Sequence, residues 1–129
     1  MRSRPVGRAS PGGTATVSAS NVRGVTDDDL AHLDATAQAE LVRSGEVSPR
    51  ELVEGAITRI EALNPELNAV IHTDYDRALA AAALRPADDA PFGGVPFLLK
   101  DLYASFTGLP LSNGSPFWDG IVPDHDTEL

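Results

Sequence analysis

Lys100 is the only lysine in the chain, and it closes an apolar run, Gly93-Gly94-Val95-Pro96-Phe97-Leu98-Leu99-Lys100-Asp101. Histidines aside, every other basic side chain is an arginine, whose charge is permanent. A surface cation can be either residue. A side chain that gives up a proton and works as a base near neutral pH can be lysine and cannot be arginine. Lys100 is therefore the leading catalytic candidate. A coding bias toward Ala, Arg, Gly and Pro that depletes lysine everywhere would leave the same single lysine, and composition alone does not separate the two readings.

Other residues with reactive chemistry are weaker candidates. An ionised Asp101 paired directly with Lys100 would favour the charged ammonium, the wrong direction for a base, so a structural role is expected for it. Asp124-His125-Asp126 with Glu128 has metal-ligand chemistry but no second cluster to complete a site. Helix initiation explains that group better, and no metal is expected. His32 and His72 are isolated and read as ordinary helix and strand-end residues.

The elements that must position Lys100 are legible upstream. An amphipathic helix begins near Asp34, contains Leu41 and Val42, and stops at Ser44-Gly45, with Gly45 at the left-handed C-terminal position. The next helix has Ser48 as N-cap, Pro49 at the first helical position and Glu51 completing a capping box. Leu52, Val53, Ala56, Ile57, Ile60 and Leu63 recur every three or four residues, which predicts one buried stripe. Asn64-Pro65 should end it. Residues 67–71 suit a short strand. Thr73 and Asp76 then open an alanine-rich helix that runs to Leu84 and is closed by Arg85-Pro86. After a polar loop, residues 95–99 form a continuous apolar run, the pattern of a strand buried on both faces, with Pro96 near its start. Helices followed by such a strand predict an α/β architecture. In open α/β sheets the strand ends gather ligands and catalytic groups, and Lys100 lies at one.

A length of 129 residues bounds the chain to one domain or part of one. Residues 1–25 hold four arginines (Arg2, Arg4, Arg8, Arg23), no acidic residue and no periodic apolar pattern, so they read as a disordered basic arm. Removing the arm's +4 from the net charge of −9 leaves −13 for residues 26–129. That balance argues against nucleic acid or an anionic membrane surface as the main partner. There is no cysteine, and no apolar stretch approaches the roughly 20 residues of a membrane span. The arm lacks the apolar region of a secretory signal, so a cytoplasmic location is expected.

Several spaced motifs, in order, resemble the amidase signature family. They are Glu46-Val47-Ser48-Pro49-Arg50-Glu51-Leu52, Arg59-Ile60-Glu61-Ala62-Leu63-Asn64-Pro65, Asn68-Ala69-Val70, the run from Gly94 through Lys100-Asp101-Leu102, Gly108-Leu109-Pro110 and Asn113-Gly114-Ser115. The resemblance covers residues 30–129, and agreement of several motifs in order is far more specific than any one. It implies the N-terminal part of an α/β/α fold with a mixed central sheet and a helix-rich first half. It also implies hydrolysis of carboxylic amides without a cofactor. Family members resemble one another in using a serine nucleophile, a second serine held by a cis peptide and a lysine base. A free lysine, with a pKa about 10.4, is almost fully protonated at neutral pH. The base must therefore be desolvated by burial. Of that set, Lys100 alone can be placed on this sequence.

The family's two serines belong to a Gly/Ser-rich segment downstream of the lysine motif, and no such segment follows Lys100 here. Ser115 precedes Pro116 and reads as a helix cap, while Ser105 and Ser112 flank a turn with no base of their own. None is expected to be the nucleophile. Asp124 or Asp126, with Glu128 and Leu129, announces a further helix as the sequence stops, so the chain reads as truncated, with residues 26–129 an incomplete amidase domain. Within the family, the run through Lys100 is most similar to amidases acting on linear or cyclic ω-amino-acid amides. The resemblance also admits the amidotransferase subunit that supplies ammonia for transamidation of misacylated tRNA, and a non-catalytic amidase-like remnant or interaction module. The isolated chain is expected to be inactive and to self-associate; the intact enzyme's partner would be a small-molecule amide.

Overall fold

The computed structural model describes residues 26–128. The basic arm expected over residues 1–25 lies outside the described residues, as does Leu129. Four helices occupy the first two thirds: α1 (Asp27–Ala31), α2 (Ala35–Ser44), α3 (Pro49–Leu67) and α4 (Tyr75–Ala82). A 3-10 turn (Pro116–Trp118) follows in an otherwise irregular second half.

Each of the first three helices starts where a short polar side chain supplies an acceptor for an orphaned N–H, the physical reason such residues begin helices. Thr26 and Asp29 form a reciprocal capping box at α1: the Thr26 N–H reaches the Asp29 carboxylate at 2.9 Å, and the Asp29 N–H reaches Thr26 Oγ1 at 3.2 Å. Asp34 accepts from the Ala37 N–H at 2.8 Å to open α2, which closes on Gly45 at φ 76°. Ser48 and Glu51 repeat the box at α3, with Pro49 in the first turn. α4 starts differently. Asp74 precedes it without a side-chain cap and instead pairs with Arg77 one turn on, at 2.8 Å.

The core is small. Leu30 of α1, Val47 and Leu52 at the start of α3 form a buried cluster, with Leu41 and Val42 of α2 packed against it. Gln38, itself buried, ties α2 to this cluster through a 2.9 Å bond from Nε2 to the Leu30 carbonyl. α3 packs on both α1 and α4. Its predicted apolar stripe is buried only at its N-terminal half. Leu52 and Val53 are covered, Ile57 and Ile60 are half-buried, and Leu63 is exposed.

Four expectations are corrected. α3 does not stop at Asn64-Pro65 but runs through Pro65 to Leu67. A proline this close to a helix end removes only one late intrahelical bond, and the end is made instead by Asn68 at φ 48°. The strand expected over residues 67–71 is absent: the Asn64 amide holds the chain there, donating to the Val70 carbonyl and accepting its N–H, both at 2.8 Å. Residues 95–99 form no strand pairing, and among the described residues there is no sheet. An apolar run can signal burial, but a strand needs a neighbouring backbone to bond. Finally, no helix starts at Asp124 or Asp126 within the described residues. Asp126 turns back to accept the N–H and hydroxyl of Thr107, each at 2.7 Å. Residues 121–127 accordingly run antiparallel to residues 105–111, with Gly108 bonded to Pro123 and Leu111 to Ile121 at 3.0 Å each. Among the described residues no helix is long and apolar enough to cross a membrane.

Candidate active site

The path to Lys100 begins at Gly94. It sits at φ 82° against the junction of α2 and α3, where a Cβ would lie 2.8 Å from Pro49 Cγ and 3.1 Å from Val42 Cγ1. Only glycine lets the chain pass this close, so the well-capped start of α3 sets where residues 95–99 depart. That segment delivers Lys100 to a tight turn, in which the Leu102 N–H bonds back to the Lys100 carbonyl at 2.8 Å. Tyr103 follows at φ 61°.

The neighbouring carboxylate is bonded to residues 112 and 113 and not to the lysine. Asp101 accepts the Ser112 N–H at 2.8 Å and the Asn113 N–H at 3.3 Å, and the Ser112 hydroxyl donates to its other oxygen. The Ser112 hydroxyl, helped by backbone N–H groups of residues 112–114, holds the Asp101 carboxyl below the usual aspartate range. The loop answers in kind: Asn113 Oδ1 accepts the Tyr103 N–H at 2.9 Å. Asp101 thus has the structural role expected of it. The ion pairs among the described residues join Arg50 to Glu54, Arg77 to Asp74, Arg85 to Asp88 and His125 to Asp124, and Lys100 is in none of them.

Lys100 itself is exposed. The burial expected of a lysine base is not supplied by residues 26–128. The local serines have other partners. Ser112 bonds Asp101, Ser115 accepts the Phe117 N–H at 3.3 Å as the cap of the 3-10 turn, and the backbone of buried Ser105 donates to Thr127 Oγ1 and accepts the Thr127 N–H. Asp124 and Asp126 part company, one on His125 and the other on Thr107, and no three metal-ligating side chains converge among the described residues. His32 and His72 are exposed.

Two long-range contacts escaped the sequence. The Arg77 guanidinium donates to the Thr107 carbonyl at 3.0 Å and lies 5.0 Å from the Phe106 ring centre, fastening α4 to the segment after the lysine turn. The Asp101 clasp on residues 112 and 113 spans 11 and 12 positions. Its one sequence signal is Asn113-Gly114, a turn dipeptide that does not say what it bonds.

The sequence model of the amidase family, described simply as Amidase, matches residues 51–129, a segment that contains α4, all but the first two residues of α3, and the whole lysine turn. This chain belongs to the amidase family. It is 40% identical over 110 residues to AmiC of Mycobacterium tuberculosis, a protein named as a putative amidase, covering 85% of this chain and 23% of that relative. It is 55% identical over 69 residues to a 6-aminohexanoate-cyclic-dimer hydrolase of Paenarthrobacter ureafaciens, 54% of this chain and 13% of that one. A glutamyl-tRNA(Gln) amidotransferase subunit of Streptomyces coelicolor is 33% identical over 109 residues, 78% and 21% respectively. The chain therefore spans less than a quarter of the length of these curated relatives. No solved structure matches it.

Proposed function

We propose that residues 26–129 are the N-terminal portion of an amidase-type hydrolase of carboxylic amides, in which Lys100 is the base of a serine, cis-serine and lysine mechanism. The observation that carries this reading is the family match over residues 51–129, which encloses the lysine motif. In the proposed reaction, neutral Lys100 takes a proton from the cis-serine as that residue takes one from the nucleophilic serine. The nucleophile adds to the amide carbonyl, backbone N–H groups hold the oxyanion, and the amine leaves with the returned proton. Water then hydrolyses the acyl-enzyme. Both serines would come from the family's Gly/Ser-rich segment, and the rest of the protein would bury Lys100 and pair residues 95–99 into the mixed sheet of an α/β/α fold.

The higher identity to a relative named for a cyclic dimer of 6-aminohexanoate favours linear or cyclic ω-amino-acid amides as substrates. A second reading, a component of an amidotransferase that works on misacylated tRNA with partner subunits, draws on the 33% identity to the glutamyl-tRNA(Gln) amidotransferase relative. A non-catalytic remnant is the third. We place the protein in the cytoplasm, with no cofactor. The test is a substrate panel on the protein expressed with the coding sequence that follows codon 129 in frame. Amine release from ω-amino-acid amides supports the hydrolase. Glutamine-dependent ammonia transfer in place of that hydrolysis selects the second reading, and silence on every amide selects the remnant.

A further inference from the structure

The turn that presents Lys100 has little side-chain packing to hold it. Phe97 is 78% exposed, Tyr103 is 82% exposed, and Leu98 and Leu102 also face solvent. Yet two non-glycine residues beside the turn, Tyr103 at φ 61° and Asn113 at φ 49°, sit in the left-handed region. Asparagine enters that region readily, but a tyrosine stays there only when its surroundings over-determine it. Here the surroundings are hydrogen bonds. Asp101 takes the Ser112 N–H, the Ser112 hydroxyl and the Asn113 N–H, Asn113 returns a bond to the Tyr103 N–H, and the Leu102 N–H closes onto the Lys100 carbonyl.

We propose that Asp101 is a positioning residue: its carboxylate, clasping residues 112–113, locks the turn at residues 100–103 and so fixes the direction in which Lys100 is presented. The proposal rests on the reading of Lys100 as the base. Asp101 touches neither Lys100 nor any reacting atom in this arrangement; it works through the backbone that the two residues share. Asp101, like any aspartate, is ionised at neutral pH, and the bonds from residues 112–114 hold it so to lower pH than usual. Charge-assisted bonds of this kind are stronger than neutral ones. Replacing the carboxylate by an amide removes that charge and turns one acceptor oxygen into a donor facing donors.

Because Lys100 is the only lysine, lysine-selective isotope labelling gives one backbone signal in the 129-residue chain. In the wild type the Lys100 amide should behave as rigid backbone, with an order parameter of about 0.85, and fall below about 0.6 in Asp101→Asn. In a uniformly labelled sample of each protein, the α3 amides should keep their values in both. Should Asp101→Asn fail to fold, an acid titration of the wild type serves instead: the Lys100 amide signal should move with the same midpoint as the Asp101 carboxyl carbon. An unchanged Lys100 order parameter in folded Asp101→Asn, or a Lys100 amide indifferent to the Asp101 titration, overturns the proposal. In the amide-hydrolysing polypeptide, Asp101→Asn should lower kcat by roughly tenfold or more with KM little changed, and a rise in KM alone overturns the positioning role. Full activity in Lys100→Arg would sink the functional reading while leaving the backbone measurement standing, so the two failures are distinguishable.

Discussion

At the scale of single residues, several of the polar side chains that shape this chain act on backbone groups close by in sequence. Ser48 and Glu51 satisfy N–H groups at the start of α3, and Ser48→Ala should cost about 1 kcal/mol in chemical denaturation. Asn64 makes a paired bond with Val70, and Asn64→Ala removes both halves, with a similar loss of about 1–2 kcal/mol. A loss within error at Asn64 would mean that water replaces the pair. Lys100 and Asp101 show what a sequence cannot supply. The type of Lys100, its uniqueness and its place after an apolar run mark it for chemistry. Its exposure, and the attachment of Asp101 to Ser112 and Asn113, depend on neighbours that spacing does not reveal.

Among the elements, the start of α3 governs the approach of Gly94, and two glycines separate conformational strain from crowding. Gly45 at φ 76° has nothing within 4 Å of a built Cβ, so Gly45→Ala should cost about 1–2 kcal/mol from the left-handed backbone alone. Gly94→Ala meets the same strain and also drives a methyl into Pro49, which should add about 1–3 kcal/mol. Equal losses at the two sites would contradict the packing assigned to Gly94. The bounds of α2 and the start of α3 are legible because caps are local chemistry: Asp34, Gly45, and Ser48-Pro49 with Glu51 each act within a few residues. The end of α3 is not, because Asn64-Pro65 signals a stop that the helix passes by a few residues. The strand pattern of residues 95–99 specifies burial and leaves the partner unnamed. Asp126 departs from its cap pattern for the same reason, since a carboxylate suited to a cap bonds Thr107, 19 positions away.

Over the whole molecule, carboxylates fasten the caps and loops, and this gives stability a definite pH dependence. Asp29, Glu51, Asp101 and Asp126 are all held below their ordinary values, chiefly by bonds from Thr26, Ser48, Ser112 and Thr107 respectively. A group depressed in the folded state contributes stability above its unfolded pKa and loses it as pH falls through the folded one. The melting temperature should therefore hold through neutrality and decline below about pH 4; a rise on acidification would contradict the clasps. The second half also leaves Phe97, Leu98, Phe117, Ile121 and Val122 exposed, with Phe117 at 86%. Surfaces of this kind bind other surfaces. The 129-residue chain should take up a hydrophobic dye and associate, as read by light scattering, whereas a monodisperse monomer that excludes the dye would favour the interaction-module reading. It should hydrolyse no amide by itself, and turnover abolished by Lys100→Ala would show that one of its own serines is the nucleophile. The most direct test of the central claim is kcat for amide hydrolysis by the polypeptide expressed with the in-frame sequence after codon 129, wild type against Lys100→Arg. Arginine keeps the charge and cannot give up its proton, so a lysine base predicts a fall of about 10²-fold or more, while an unchanged kcat would contradict the assignment of Lys100.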